Sequence, residues 1–274
     1  MSDEAARGEE EVGMDEAVPV DGVVRAVEVA GEAVHAGSAP ACKICDADTR
    51  VVFRVPSAKA TGHEIPDAPD DCTYYECTNC RFCFTDLLDG RDLAPVYGTQ
   101  YWKEQDPDWH GRTPEMLRLA LLASSLLPAR PWALDILDFG CGMGTFVETA
   151  REKLGLQVWG HDIIEPEFGK EFFLRALGPR QFDLALSVEV VEHLVDPVGA
   201  LTPVVRSLRP SGVFAFQTAH YDPATCGRDW WYVGPANGHV SLFSAGALDV
   251  LFKRLGGKRR AVWNGYAGLQ AWQF

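Results

Sequence analysis

From residue 113 onward, strand-like and helix-like patterns of apolar positions alternate along the chain. Thr113, Pro114 and Glu115 form a helix start: an N-cap, a proline at the first helical position and an early acid. That helix is predicted to run to about Leu127, where Pro128 and Pro131 stop it. Strands are predicted over 133–140, 156–163, 182–190 and 212–219, with helices over 144–155, 197–210 and 244–256 between them. A short helical patch is expected over 166–177, and 259–274 is read as the last strands. Alternating β and α units imply an α/β domain over 132–274, with a parallel sheet covered on both faces. A helical connector over 89–131 precedes it, rich in aromatics at Tyr97, Tyr101, Trp102 and Trp109. Residues 41–88 hold only short strand-like runs, at 50–55 and 73–77, around a Pro- and Asp-rich loop. Residues 1–40 show no amphipathic period and are read as a disordered acidic tail. No internal repeat is visible.

The chain has 274 residues, 47% of them hydrophobic, and a formal net charge of −14. Much of the acidity sits in 1–40, but the remainder is also net negative, which disfavours nucleic acid as a partner. No apolar stretch is long enough for a membrane span, and the N-terminus lacks the apolar core of a secretory signal. A cytoplasmic location is therefore expected. The sequence gives no sign of an oligomeric state. Eight cysteines include two C-x-x-C pairs, which in a reducing compartment indicate metal ligation before disulfides.

The run LDFGCGMG places Gly140, Gly142 and Gly144 where a strand ends and a helix begins. Glycine there permits φ > 0 and removes the Cβ, so a ligand can lie against the backbone. Asp138 precedes the first glycine by two residues, and Asp162 ends the next strand, placed to accept hydrogen bonds from ribose hydroxyls. A nicotinamide-binding fingerprint would read G-x-G-x-x-G. The observed G-x-G-x-G after an acidic strand end instead resembles motif I of the class I S-adenosylmethionine-dependent methyltransferases. FDLALSVEVVEHLVDP (182–197) resembles that family's fourth strand and following helix, and LRPSGVFAFQT its turn and fifth strand. The resemblance spans roughly 95–274. It implies a Rossmann-like sheet with S-adenosylmethionine lying over Gly140–Gly144. The implied cofactor contacts are Asp138, Gly140, Cys141, Gly142, Gly144, Asp162, Ile163, Ser187, Val188 and Tyr101. The Cys141 side chain is read as a small filler. One departure is the short interval between Asp162 and Asp183. It leaves only 171–177 for the third strand, with no acid at its end to meet the adenine amino group.

Cys42-x-x-Cys45 and Cys77-x-x-Cys80 form two knuckles whose four thiolates suit tetrahedral zinc, read as a structural staple with no open position. A redox role for either pair is the lesser alternative. Cys83 is close enough in sequence to substitute in the site, and Cys72 is read as a free thiol. The run YYECTNCRFCFTD resembles zinc-ribbon leaders that precede some bacterial methyltransferases, with Arg81 where those have glycine. YGTQYW (97–102) resembles the connector of the same proteins, several of which act on sugars or secondary metabolites.

Methyl transfer needs the acceptor aligned, and a base only where the acceptor must lose a proton. The candidates are His239, His193, Glu189 and His220. The segment DWWYVGPANGHVSLFS (229–244) is expected to form a lid, with Trp230, Trp231, Tyr232 and His239 over the acceptor. His239 is the leading candidate base. The resulting expectation is a methyltransferase acting on a small molecule, with a sugar or a secondary metabolite as the acceptor classes. Two rivals are an RNA methyltransferase gripping its substrate with the zinc module, and a non-catalytic S-adenosylmethionine-binding protein.

Overall fold

The computed structural model describes residues 39–60, 65–94, 96–97, 112–262 and 269–274, so the expected acidic tail and Tyr101 lie outside the described residues. The larger sheet contains β4 (Asp135–Phe139), β5 (Gln157–His161), β6 (Phe182–Val188), β7 (Leu208–Gln217), β9 (Lys258–Val262) and β10 (Gln270–Gln273). Its order is β5-β4-β6-β7-β10-β9, with the first four strands parallel and β10 antiparallel to both β7 and β9. Alternation along the strands sorts side chains between two faces. Ile136, Leu184, Leu186, Val213 and Ala215 face α1 (Arg112–Ser124) and α2 (Thr145–Leu154). Leu137, Ala185, Phe214 and Phe216 face α3 (Pro197–Arg206) and α4 (Ala245–Arg254).

Three expected elements are corrected. Helix α1 ends at Ser124, short of Leu127, where the backbone tightens to i−3 bonds, from Leu126 to Ala123 and from Leu127 to Ser124. Helix α3 ends at Arg206, and Leu208–Pro210 already belong to β7, since a residue before proline is biased to extended backbone. The expected helical patch and third strand shrink to a 3₁₀ turn at Lys170–Phe172 and one parallel bridge, Gly160 to Phe173. Gly169 and Gly178, both at left-handed φ, turn the chain on either side and leave no length for more.

A second sheet holds β1 (Thr49–Pro56), β2 (Asp71–Cys77), β3 (Cys83–Thr85) and β8 (Ser241–Leu242), in that order. The first three come from the cysteine-bearing segment, and β8 from the segment expected to be a lid, which is therefore partly strand. The two segments share a core: Phe82 stacks on Phe84 and packs against Phe243. Glu76, fully buried on β2, accepts from Arg50 at 2.9 Å and from the Tyr221 hydroxyl at 3.0 Å, and pairs with Arg81 at 3.1 Å. Tyr221 lies 145 residues further along the chain, so this carboxylate stitches the segments together. Glu76→Ala should lower the unfolding free energy by about 1–3 kcal/mol, the cost of a buried hydroxyl that loses its acceptor. Urea denaturation measures this, and an unchanged midpoint would show that the network contributes nothing.

Candidate functional site

Strand β4 runs directly into the glycine turn, where Gly140, Gly142 and Gly144 have φ of 78°, 53° and 82°. These are left-handed values that side chains with a Cβ resist. A Cβ at Gly140 would strike Val190, and one at Gly144 the backbone carbonyl of Phe168. Asp162, just beyond β5, is bound to the turn: its Oδ2 accepts from the Gly142 N–H at 2.9 Å and its Oδ1 from the Ile164 N–H at 3.1 Å. Burial raises its pKa while those N–H groups pull it back. Asp138 lies beneath, pushed up to about 8 by burial and then by the charge of Asp162. Cys141 packs its sulfur over Gly160, and burial keeps it a thiol, so it fills space as expected. Asp138, Cys141, Gly142 and Val188 line a small recess with the glycine turn. Ser187 differs from its expected place. It is completely buried within β6, because the pleat turns it away from the recess that its neighbour Val188 lines.

The recess adjoins a cleft of about 600 Å³ that shares Gly140, Arg112 and Glu189 with it. At one end are Gly140, Asp162 and the exposed Ile163; at the other are Glu189, His193, Tyr232 and His239. Glu189 ends β6 at φ 52°, an uncommon conformation for a residue with a Cβ. The Tyr232 hydroxyl donates to its Oε2 at 2.9 Å. Three residues further on, Glu192 is fully buried and accepts from the Thr218 hydroxyl at 3.0 Å. Burial first, then the neighbouring Glu192, pushes Glu189 up to about 8. The His239 Nδ1–H donates to the Tyr232 carbonyl at 2.8 Å, which leaves Nε2 as the lone-pair nitrogen. The His193 and His239 rings meet edge to face at 5.0 Å, and burial lowers the pKa of both.

The lid segment reaches the cleft through Tyr232, His239 and Trp231, the last 75% exposed at the rim. Trp230 instead packs between Tyr221 and Tyr232. His220 does not enter the cleft: it faces Gln270 of β10 at 2.9 Å and bridges to Phe243, because the chain turns there toward the smaller sheet. Three contributors had gone unread. Arg112 lines both cavities from the start of α1. Glu192 could have been found from its E-x-x-E-H spacing. Lys59 donates to the carbonyls of Arg228, Trp230 and Val233 at 2.7–3.1 Å and pins the lid. No local pattern announces that contact across roughly 170 residues.

Beside the core that the smaller sheet shares with α4, Cys42, Cys45, Cys77 and Cys80 bring their sulfurs within 4.8 Å of one another. Cys42 to Cys80 is 3.7 Å and Cys45 to Cys77 is 3.5 Å. Four sulfurs about 2.3 Å from a tetrahedral ion stand about 3.8 Å apart, so the group fits such an ion. The Ile44, Asn79 and Cys80 N–H groups point at the Cys42 and Cys77 sulfurs. Each knuckle is followed by a left-handed residue, Asp46 and Arg81. Arg81 thus takes the strained position where glycine is usual, and pairs with Glu76 from it. Cys83 and Cys72 stay out of the group, in the other core of the sheet, and burial raises both thiols, Cys72 to about 11.

A methyltransferase-domain family model matches residues 109–258. The chain belongs to this family, and its parallel sheet and glycine turn are those of the class I, S-adenosylmethionine-dependent domain. Similar curated proteins include the ubiquinone biosynthesis O-methyltransferases of Dinoroseobacter shibae, 34% identical over 33% of this chain and 43% of that protein, and of Ruegeria pomeroyi, 34% identical over 34% and 45%. The chain thus spans less than half the length of these relatives. Among solved structures, the 1,6-didemethyltoxoflavin-N1-methyltransferase of Burkholderia thailandensis shares the fold, with a TM-score of 0.52 at 18% identity over 77% of this chain and 97% of that one.

The glycine turn yields a stability test. Gly144 and Gly155 are both left-handed, but a Cβ at Gly155 meets open space, whereas one at Gly144 meets a carbonyl. Gly155→Ala should cost about 1–2 kcal/mol, and Gly144→Ala distinctly more. Equal losses in denaturant unfolding would mean that the turn is not tightly packed.

Proposed function

We propose that this chain transfers the methyl group of S-adenosylmethionine to a hydroxyl of a small-molecule acceptor. The observation that carries the reading is that one cleft holds both the Gly140–Asp162 end and the Glu189–His193–Tyr232–His239 end. The cofactor supplies an electrophilic methyl carbon on a sulfonium sulfur. The backbone of Gly140–Gly144, with Asp138 beneath, cradles its amino-acid part, and Val188 and Ile163 flank it. Each Asp162 oxygen has accepted one backbone N–H and keeps a lone pair for a ribose hydroxyl. The acceptor hydroxyl lies at the opposite end, where Trp231 offers a ring to stack on and the buried Tyr232 helps exclude water. It loses its proton at the Glu189–His193–His239 group. Nε2 of His239, held neutral by burial, is the atom placed to take it. Ring-bearing metabolites and sugars are the acceptor classes that suit this lining. The relatives named as O-methyltransferases support oxygen as the target.

The cysteine group is read as a structural zinc site on Cys42, Cys45, Cys77 and Cys80. Four thiolates leave no open position, so the ion shapes the smaller sheet and takes no part in transfer.

Calorimetry should show S-adenosylhomocysteine binding, weakened in Asp162→Ala by about 1–3 kcal/mol, the scale of charge-assisted hydrogen bonds. With phenolic and sugar acceptors and labelled cofactor, His239→Ala should cut turnover about 100-fold or more while leaving cofactor affinity nearly intact. A protein that binds no S-adenosylhomocysteine, or transfers to none of these acceptors, would contradict the reading. Elemental analysis should separately find one cysteine-held zinc per chain that resists removal of exchangeable metal, lost together with thermal stability in Cys77→Ser. A zinc-free wild-type chain of full stability would refute the metal.

A further inference from the structure

We propose that Glu192, His193 and His239 hold a divalent first-row transition-metal ion at the acceptor end of the cleft. The inference rests on the proposed methyl transfer for its chemistry and revises one step of it, the fate of the hydroxyl proton, while the site itself stands on geometry alone. One ligand atom from each of the three residues lies within 4.8 Å of the others. Glu192 is completely buried; one oxygen accepts from Thr218, while Oε1 has no hydrogen-bond partner and lies 3.9 Å from His193 Nε2. A buried carboxylate oxygen without a hydrogen bond of its own is a place where a cation can be held.

The surroundings of His239 have the form that a metal ligand takes. A ligating histidine donates its other ring N–H to a carbonyl or carboxylate, which fixes the tautomer and aims the lone pair. His239 does this through Nδ1 to the Tyr232 carbonyl. Tyr232 in turn donates to Glu189, which lines the cleft beside His193 and His239. Two imidazole nitrogens and one carboxylate oxygen are a borderline donor set, suited to Mn²⁺, Fe²⁺, Co²⁺ or Zn²⁺ more than to Ca²⁺ or Mg²⁺. This set is chemically distinct from the four soft thiolates of the cysteine group. Three protein ligands leave positions open toward the cleft, where an acceptor oxygen can bind. The ion lowers the pKa of that hydroxyl, and its proton passes to solvent. The oxygen then forms the O–C bond as the C–S bond breaks. The electron pair stays on sulfur, giving a methyl ether and S-adenosylhomocysteine. On this account His239 holds the ion and does not itself take the proton.

The test uses the full chain, stripped of exchangeable metal and checked for retained cysteine-bound zinc. Mn²⁺ is then titrated and followed by electron paramagnetic resonance. The expected result is one Mn²⁺ per wild-type chain, bound about tenfold or more weakly in Glu192→Gln and His239→Ala, the usual effect of losing a ligand or its support. His220→Ala, outside the cleft, should bind as wild type. No Mn²⁺ uptake by the wild-type chain, or equal uptake by Glu192→Gln and His239→Ala, overturns the proposal. Because Glu192 is buried, His239→Ala decides if Glu192→Gln fails to fold. S-adenosylhomocysteine binding without Mn²⁺ uptake removes the ion and leaves the methyltransferase reading intact. Mn²⁺ uptake without S-adenosylhomocysteine binding does the reverse.

Discussion

Backbone pairing of β4 with β5 on one side and β6 on the other is the constraint from which the cleft follows. The parallel register sets Asp138 opposite both Gly160 and Leu186. The three strands therefore end at one level, and the residues just past those ends, Gly140, Asp162 and Glu189, arrive together without any contact needing to recruit them. Parallel strands deliver their carboxyl ends to the same edge of the sheet, which is why ligand sites gather there. What each end does is then decided by local chemistry. Glycine lets the first end turn against a ligand, the second end's carboxylate ties that turn down, and the third end accepts an unfavourable φ that points its side chain inward.

The smaller sheet acts on the cleft from outside it. Tyr74 of β2 donates its hydroxyl to the carbonyl of His239 at 2.7 Å, and β8 begins two residues further on. Lys59 holds the lid from the same side. The Tyr232–His239 end of the cleft is thus built jointly by residues that sequence reading assigns to two domains. Packing between them is a shared hydrophobic core, with Cys42, Ile44 and Phe82 in one cluster with Phe214, Leu251 and Trp272.

The parts legible in the sequence are those with a local cause. Period-two alternation gave the strands, glycine spacing gave the turn, and C-x-x-C spacing gave the thiol group, because each depends on residues a few positions apart. The bond from Asp162 to Gly142 was also within reach, since both stand at ends of adjacent strands. What stayed hidden depends on long-range pairing or on length. The third strand failed because two glycines cut its segment short. His220 was misplaced because its strand's end swings toward the second sheet, and no pattern in 219–222 reports that. Glu192 stands in an E-x-x-E-H spacing that the sequence displays, but its complete enclosure is a product of the fold. Lys59 and β8 are tertiary features with no periodic trace.

The pairing of β8 with β3 also bears on how the chain can be divided. Among the described residues, β8 has β3 as its sole strand neighbour in the sheet. Cutting the chain before the methyltransferase domain would leave β8 as an open edge, with Phe243 stripped of Phe82. An unpaired edge beside uncovered aromatics is a template for self-association. The leading segment therefore covers an edge and an aromatic face of the segment it precedes, and the boundary read from the sequence cuts through a shared sheet and core.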